Sequence, residues 1–224
     1  YVLPTGAVVT KPSHQRMALV AHLYYMDLLE KMLTYIRNMP EGCDLILTVE
    51  SEKKAEQVRK ACEGLPFNVE VRLIENRGRD VSALLVGLKD VIANYDLVCF
   101  IHDKKVTQLS LYSKGDGFAI KCFENLLPTR EFVSNVVATF DREPRLGMLM
   151  PTPPNHADYF PISAFGWGPN FVRTRKLLAE LGISVPMDHD KEPIAPLGTM
   201  FWFRPAALAP LFDHDWKWED FPPE

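Results

Sequence analysis

Asn68–Lys105, which reads NVEVRLIENRGRDVSALLVGLKDVIANYDLVCFIHDKK, decides the fold. Two apolar runs, Val69–Ile74 and Leu97–Ile101, each stop abruptly at polar residues. Between them Val81, Leu84, Leu85, Leu88, Val91 and Ile92 recur at steps of three and four, the period of one helix face. Strand, helix and strand in that order form a βαβ unit, the repeating piece of a parallel sheet covered by helices. The polar clusters Glu75–Asp80 and His102–Lys105 then both fall at the carboxyl ends of strands. Open α/β sheets bind their ligands at that edge.

The residue types there suit a phosphate-bearing ligand. Gly78 permits close backbone approach or a positive φ, and Arg77 and Arg79 carry forked donors that match phosphate oxygens. Asn76 precedes them, and Asp80 is placed to cap the helix that follows. Asp103, just after a buried strand, is the natural carboxylate for a hard cation such as Mg²⁺ or Mn²⁺. An ordinary strand-to-helix turn and a solvated charge cluster are the plainer alternatives. Two such clusters at one sheet edge favour a site.

Upstream, Met17–Leu23 and Leu45–Val49 read as two further strands, followed by helices over Asp27–Asn38 and Glu52–Cys62. The charges of Glu52–Cys62 mark a solvated face, and residues 1–16 read as an extended lead-in. After Lys105 the alternation stops. Val106–Gly117 reads as a polar loop, with helices over Phe118–Leu127, Glu131–Phe140 and Asn170–Leu181 and strands over Leu146–Met150 and Leu197–Arg204. Residues 151–169 carry five prolines and two glycines, and a loop of that length in a compact domain is usually functional. Met187–Asp190 reads as a solvated loop. Glu219, Asp220 and Glu224 close the chain beside Trp216 and Trp218, a setting that suits a sugar ring and a carboxylate base.

With 224 residues and 47% hydrophobic content, the chain can build one large α/β domain, a mostly parallel sheet flanked by helices, without disulfide staples. A net charge of −4 argues against nucleic acid as a partner. The four cysteines form no C-x-x-C pair, which reads as reduced thiols in a cytoplasmic protein. No apolar run approaches the roughly 18 residues of a membrane span. Tyr1 in place of an initiator Met suggests a piece of something longer.

The pairing of N-R-G-R-D (residues 76–80) with Y-D-L-V-C-F-I-H-D-K-K (residues 95–105) resembles the rhamnan-synthesis F family of bacterial cell-surface polysaccharide assembly. Further matches are His22–Tyr25, Asp44–Thr48, Gly198–Pro205 and Asp220–Glu224, in the family's order from residue 17 onward. The resemblance implies a nucleotide-sugar fold of the glycosyltransferase-A type, with residues 17–105 as the nucleotide half and 106–224 as the acceptor half. It implies that this edge cradles the base and ribose, with Tyr24 or Tyr25 stacking on a pyrimidine and His22 reaching a hydroxyl; core packing is the plainer alternative for either aromatic. It places His102-Asp103-Lys104 at the usual D-x-D metal motif, with Lys105 adding charge, and Gly198, Thr199 and Trp202 on the floor of the pocket. The implied donor is a nucleoside-diphosphate sugar, deoxythymidine-diphosphate rhamnose, with a glycan or lipid-linked glycan acceptor. The implied place is the inner face of the membrane, by peripheral association. Catalysis would use a base among Glu219, Asp220 and Glu224 and a Mg²⁺ or Mn²⁺ at Asp103. Because only one acid of D-x-D is present, a non-catalytic glycan-binding or scaffolding module stays open, and a nucleotidyltransferase ranks last for want of a Gly-rich loop after the first strand.

Overall fold

The computed structural model describes residues 13–105, 112–152 and 166–223. Its first half alternates as the apolar runs require: β1 (Met17–His22), α1 (Leu29–Ile36), β2 (Asp44–Val49), α2 (Glu52–Ala61) and β3 (Asn68–Leu73). Two short helices, α3 (Arg79–Leu85) and α4 (Lys89–Ile92), lead to β4 (Leu97–His102). The second half holds α5 (Tyr112–Glu124), α6 (Arg130–Arg142), β5 (Met148–Leu149), α7 (Asn170–Glu180), β6 (Phe201–Phe203) and α8 (Ala209–Asp213).

The sheet runs β3-β2-β1-β4-β6-β5. The strands β1 to β4 are parallel, whereas β6 is antiparallel to both β4 and β5. The chain moves outward from β1 to β3 and then returns to place β4 on the other side of β1. That reversal puts the topological switch point between the carboxyl ends of β1 and β4, where His22 and His102 are register partners.

Alternation along the strands sends side chains to two cores. Leu19, Ala21, Leu45, Leu47, Cys99, Ile101 and Trp202 meet Leu33, Ile36, Val58, Phe123, Val133 and Phe140 from α1, α2, α5 and α6. Ala18, Val20, Ile46, Val98, Phe100, Phe201 and Phe203 meet Leu84, Leu85, Ile92 and Phe212 from α3, α4 and α8. All four cysteines are free and buried, and all four lie in the first core. Burial pushes the thiols up, to about 12 for Cys43 and about 11 for Cys62 and Cys122.

Four sequence expectations change. The single helix between β3 and β4 is broken at Val86–Leu88, because Gly87 packs so closely on the Ala83 carbonyl and Ile74 that a Cβ would sit 2.9 Å from each. Val81 is consequently exposed rather than in the core face. The strand β3 is an edge strand, with Val69 and Leu73 exposed. Helix α5 begins at Tyr112, inside the expected polar loop. Most of the proline-rich loop lies outside the described residues. Among the described residues no helix is long and apolar enough to cross a membrane.

Candidate functional site

Three strand ends, β1, β2 and β4, deliver polar side chains to the switch point. Asp103, only 6% exposed, follows β4 and turns its carboxylate onto the backbone that leaves β1. Its Oδ2 accepts from the Tyr24 amide at 2.7 Å and from the Tyr25 amide at 2.5 Å. The Asp103 amide in turn donates to the His22 carbonyl at 3.1 Å. Burial raises the Asp103 carboxyl to about 6, against the opposing pull of those two amide bonds.

His22 and His102 stand side by side above this brace. His22 Nδ1 lies 3.0 Å from Thr48 Oγ1. Its ring is held down to about 4, first by burial and then by the charge of His102. Both nitrogens of His102 face carbonyl oxygens at 2.7 Å, Nδ1 that of Asp103 and Nε2 that of Gly198. Asp80, from the first turn of α3, brings its Oδ2 to 3.7 Å from His102 Nε2.

The lead-in to β6 closes this side. Gly198 has φ +90, and a Cβ there would meet Phe118 at 2.9 Å. Thr199 follows at φ 57, a conformation that a β-branched residue adopts only under constraint from its surroundings. Lys104 Nζ sits 4.1 Å over the Phe118 ring. Burial lowers its pKa, while nearby Asp80 raises it.

Two participants were not legible in the sequence. Lys54, which reads there as part of a solvated helix face, bonds the Tyr24 carbonyl, pairs with Glu50 Oε1 at 2.6 Å and covers the Tyr24 ring at 4.3 Å. Glu50, at the end of β2, keeps its Oε2 buried with no hydrogen-bond partner among the described residues, as does Asp80 with its Oδ2. The signal for Glu50 was its position one residue past a buried strand.

The expected site residues therefore divide. His22, Tyr24, Asp80, His102, Asp103, Lys104, Gly198 and Thr199 gather at the switch point, with Arg79 at the start of α3. Lys105 pairs with Asp27 at 2.6 Å and lies 5.4 Å over the Tyr25 ring. Trp202 is a correction: it is wholly buried among α5 and α6 residues, its indole N–H satisfied by the Leu126 carbonyl at 3.2 Å, so it packs the core. Asn76 is exposed.

Arg77 is a second correction. Its guanidinium does not face the switch point. Nε donates to the Trp218 carbonyl at 2.9 Å and Nη2 to the Phe221 carbonyl at 2.8 Å. Gly78, at φ 63, donates its amide to the Pro222 carbonyl at 2.9 Å, and Arg77 bridges Pro223. The C-terminal turn is thus docked on the loop before α3. Glu219 and Asp220 are exposed on it, with Asp220 Oδ2 accepting from the Lys217 amide at 2.8 Å, and Glu224 lies outside the described residues.

The donor set does not fit a divalent cation held by Asp103. One of its oxygens is committed to two amides, and among the described residues no group of three or more His, Cys, Asp or Glu side chains could hold a metal ion. The arrangement fits hydroxyl and N–H donors at Glu50 and Asp80, with positive charge at Lys104 and Arg79 beside them.

Comparison with known proteins gives one family. The model described as rhamnan synthesis protein F matches residues 1–224. Two relatives from Xanthomonas campestris pv. campestris, strains B100 and ATCC 33913, are each described as uncharacterized protein WxcX. Each is 30% identical over 207 residues, which is 92% of this chain and 28% of the relative. The chain therefore spans little more than a quarter of those relatives' length.

Proposed function

The chain belongs to the rhamnan synthesis protein F family, and from that premise we propose that it transfers a sugar from a nucleoside-diphosphate donor to a growing cell-surface polysaccharide. The sugar of this reading is rhamnose, the donor its deoxythymidine-diphosphate form and the acceptor a glycan or lipid-linked glycan, met at the inner face of the membrane. The strand order β3-β2-β1-β4-β6-β5, with β6 reversed, supports a glycosyltransferase-A-type assignment. Residues 17–105 would form the nucleotide half and 106–224 the acceptor half.

One observation carries the reading: two buried carboxylate oxygens, Glu50 Oε2 and Asp80 Oδ2, make no hydrogen bond among the described residues and lie near His22 at the switch point. Such acceptors call for a ligand that brings N–H or O–H groups, as a pyrimidine base, a ribose or a sugar does. Lys104 and Arg79 would stabilise the departing diphosphate electrostatically. Direct displacement at the anomeric carbon needs a base for the acceptor hydroxyl, a role assigned to Asp220 or Glu219 on the docked turn.

A thermal-shift screen of nucleoside diphosphates tests this, since a ligand that binds only the folded chain stabilises it by mass action. Deoxythymidine diphosphate should raise the midpoint, with or without Mn²⁺. Glu50→Gln and Asp80→Asn should each weaken that binding by about tenfold, the loss of one hydrogen bond to a charged group. Equal binding by both variants would sink the site assignment. The non-catalytic scaffold reading draws on the commitment of Asp103 to backbone amides, and binding without turnover of any donor would favour it.

A further inference from the structure

Arg77 holds two carbonyls, and they are not an arbitrary pair. Trp218 and Phe221 are the residues immediately before and after Glu219-Asp220. A planar guanidinium that grips both ends fixes the orientation of the dipeptide between them. The grip is reinforced at each side. The Gly78 amide donates to the Pro222 carbonyl at 2.9 Å, and the Phe221 ring lies against the Gly78 backbone. Trp216 packs 5.8 Å from Phe221, and Lys89 Nζ donates to the His214 carbonyl at 3.1 Å.

The same loop aims the switch-point residues. Arg77 immediately precedes two left-handed residues, Gly78 at φ 63 and Arg79 at φ 57, and these lead into Asp80, the partner of His102. The Ser82 hydroxyl bonds the Arg77 carbonyl and lies 3.1 Å from that of Arg79, tying the loop to α3. One residue therefore stands between the exposed acids of the C-terminal turn and the buried acid of the switch point.

We infer that Arg77 is a positioning residue that fastens the Trp218–Phe221 turn to the loop before α3 and so sets Glu219 and Asp220 relative to Asp80 and His102. What the two exposed carboxylates then do rests on the transferase reading. The fastening itself rests only on the contacts above. A lysine keeps the charge but lacks the planar fork whose separate nitrogens meet the two carbonyls, so Arg77→Lys separates the fork from the charge.

The test uses the full chain with Arg77→Ala and Arg77→Lys. Hydrogen exchange of the Asp220, Phe221 and Gly78 amides should accelerate about tenfold or more in Arg77→Ala and partly in Arg77→Lys, with β1, β2 and β4 unchanged, as in local rather than global opening. Parental protection of those three amides in both variants would overturn the inference, and if Arg77→Ala does not fold, Arg77→Lys decides alone. In donor turnover, Arg77→Lys should lower kcat about tenfold while leaving the donor KM near parental, the mark of misplaced catalytic groups. The loss should vanish in a Glu219→Gln/Asp220→Asn background, whereas an additive loss would count against positioning. If that double variant turns over at the parental rate, the base of the transferase reading fails, and the exchange result still upholds or overturns the fastening.

Discussion

Gly78→Val should cost about 3 kcal/mol of stability and release the C-terminal turn while the sheet stays folded. Two terms add. A β-branched residue held at φ 63 pays about 1–2 kcal/mol for the left-handed conformation. A Cβ at this position would also lie 2.5 Å from Phe221 Cβ and 2.7 Å from its Cγ, so the ring must move. Overpacking of that kind adds about 1–3 kcal/mol. Phe221 is the side chain that must yield, since the three nearest atoms all belong to it. Far-UV circular dichroism should keep its native form, while Trp216 and Trp218 emission shifts toward that of exposed indole. A loss under about 0.5 kcal/mol, or a chain that never folds, would contradict a local effect confined to this turn.

The second large effect concerns pH. His22 is half-buried, and desolvation holds its ring to about 4 against an ordinary 6.5. The unfolded chain then binds its proton more readily, so this group's contribution to stability is lost as pH falls from 6.5 toward 4. Asp103 moves the other way, its carboxyl raised from 3.8 to about 6. The folded chain holds that proton more tightly, so its contribution is present at low pH and is lost as pH rises toward 6. At roughly 1.4 kcal/mol per decade of pKa, each amounts to something on the order of 3 kcal/mol.

Between pH 4 and 6 the two contributions oppose and nearly cancel. Removing either should unmask the other. Stability of His22→Gln should fall as pH rises across that window, and stability of Asp103→Asn should rise. Asparagine retains an acceptor for the Tyr24 and Tyr25 amides, so the turn after β1 should survive the exchange. Urea midpoints measured at both ends of the window read the two slopes directly. Parallel slopes in the two variants would show that the pair does not titrate as described.

The strands were legible because their apolar runs are dense and end sharply, and all four parallel strands fall within one residue of expectation. The break between α3 and α4 was not. Leu84, Leu85, Leu88 and Ile92 keep helical spacing across it, and nothing in that spacing reveals how closely Gly87 approaches Ile74. At the site, His22, His102 and Asp103 could be placed because residues that end neighbouring parallel strands must meet, whereas Asp80 follows β3, two strands away from β1, and arrives on the first turn of α3. Arg77 could not be distinguished from Arg79. Both are forked donors beside one glycine, and their assignments depend on Trp218 and Phe221, about 140 residues away. Lys54 looked like any solvated lysine of a charged helix, and the resemblance put Trp202 on the pocket floor although an indole serves core and pocket equally well.

The segregation of the cysteines has a practical consequence. A thiol reacts as its thiolate, and Cys43, Cys62, Cys99 and Cys122 are all buried with raised pKa values. Since all four lie under α1, α2, α5 and α6, an alkylating reagent can modify them only when that layer lifts from the sheet. The opposite layer, with α3, α4 and α8, carries none. Alkylation rates therefore act as a one-sided reporter: they time the exposure of one face, and release of the C-terminal turn passes without a trace.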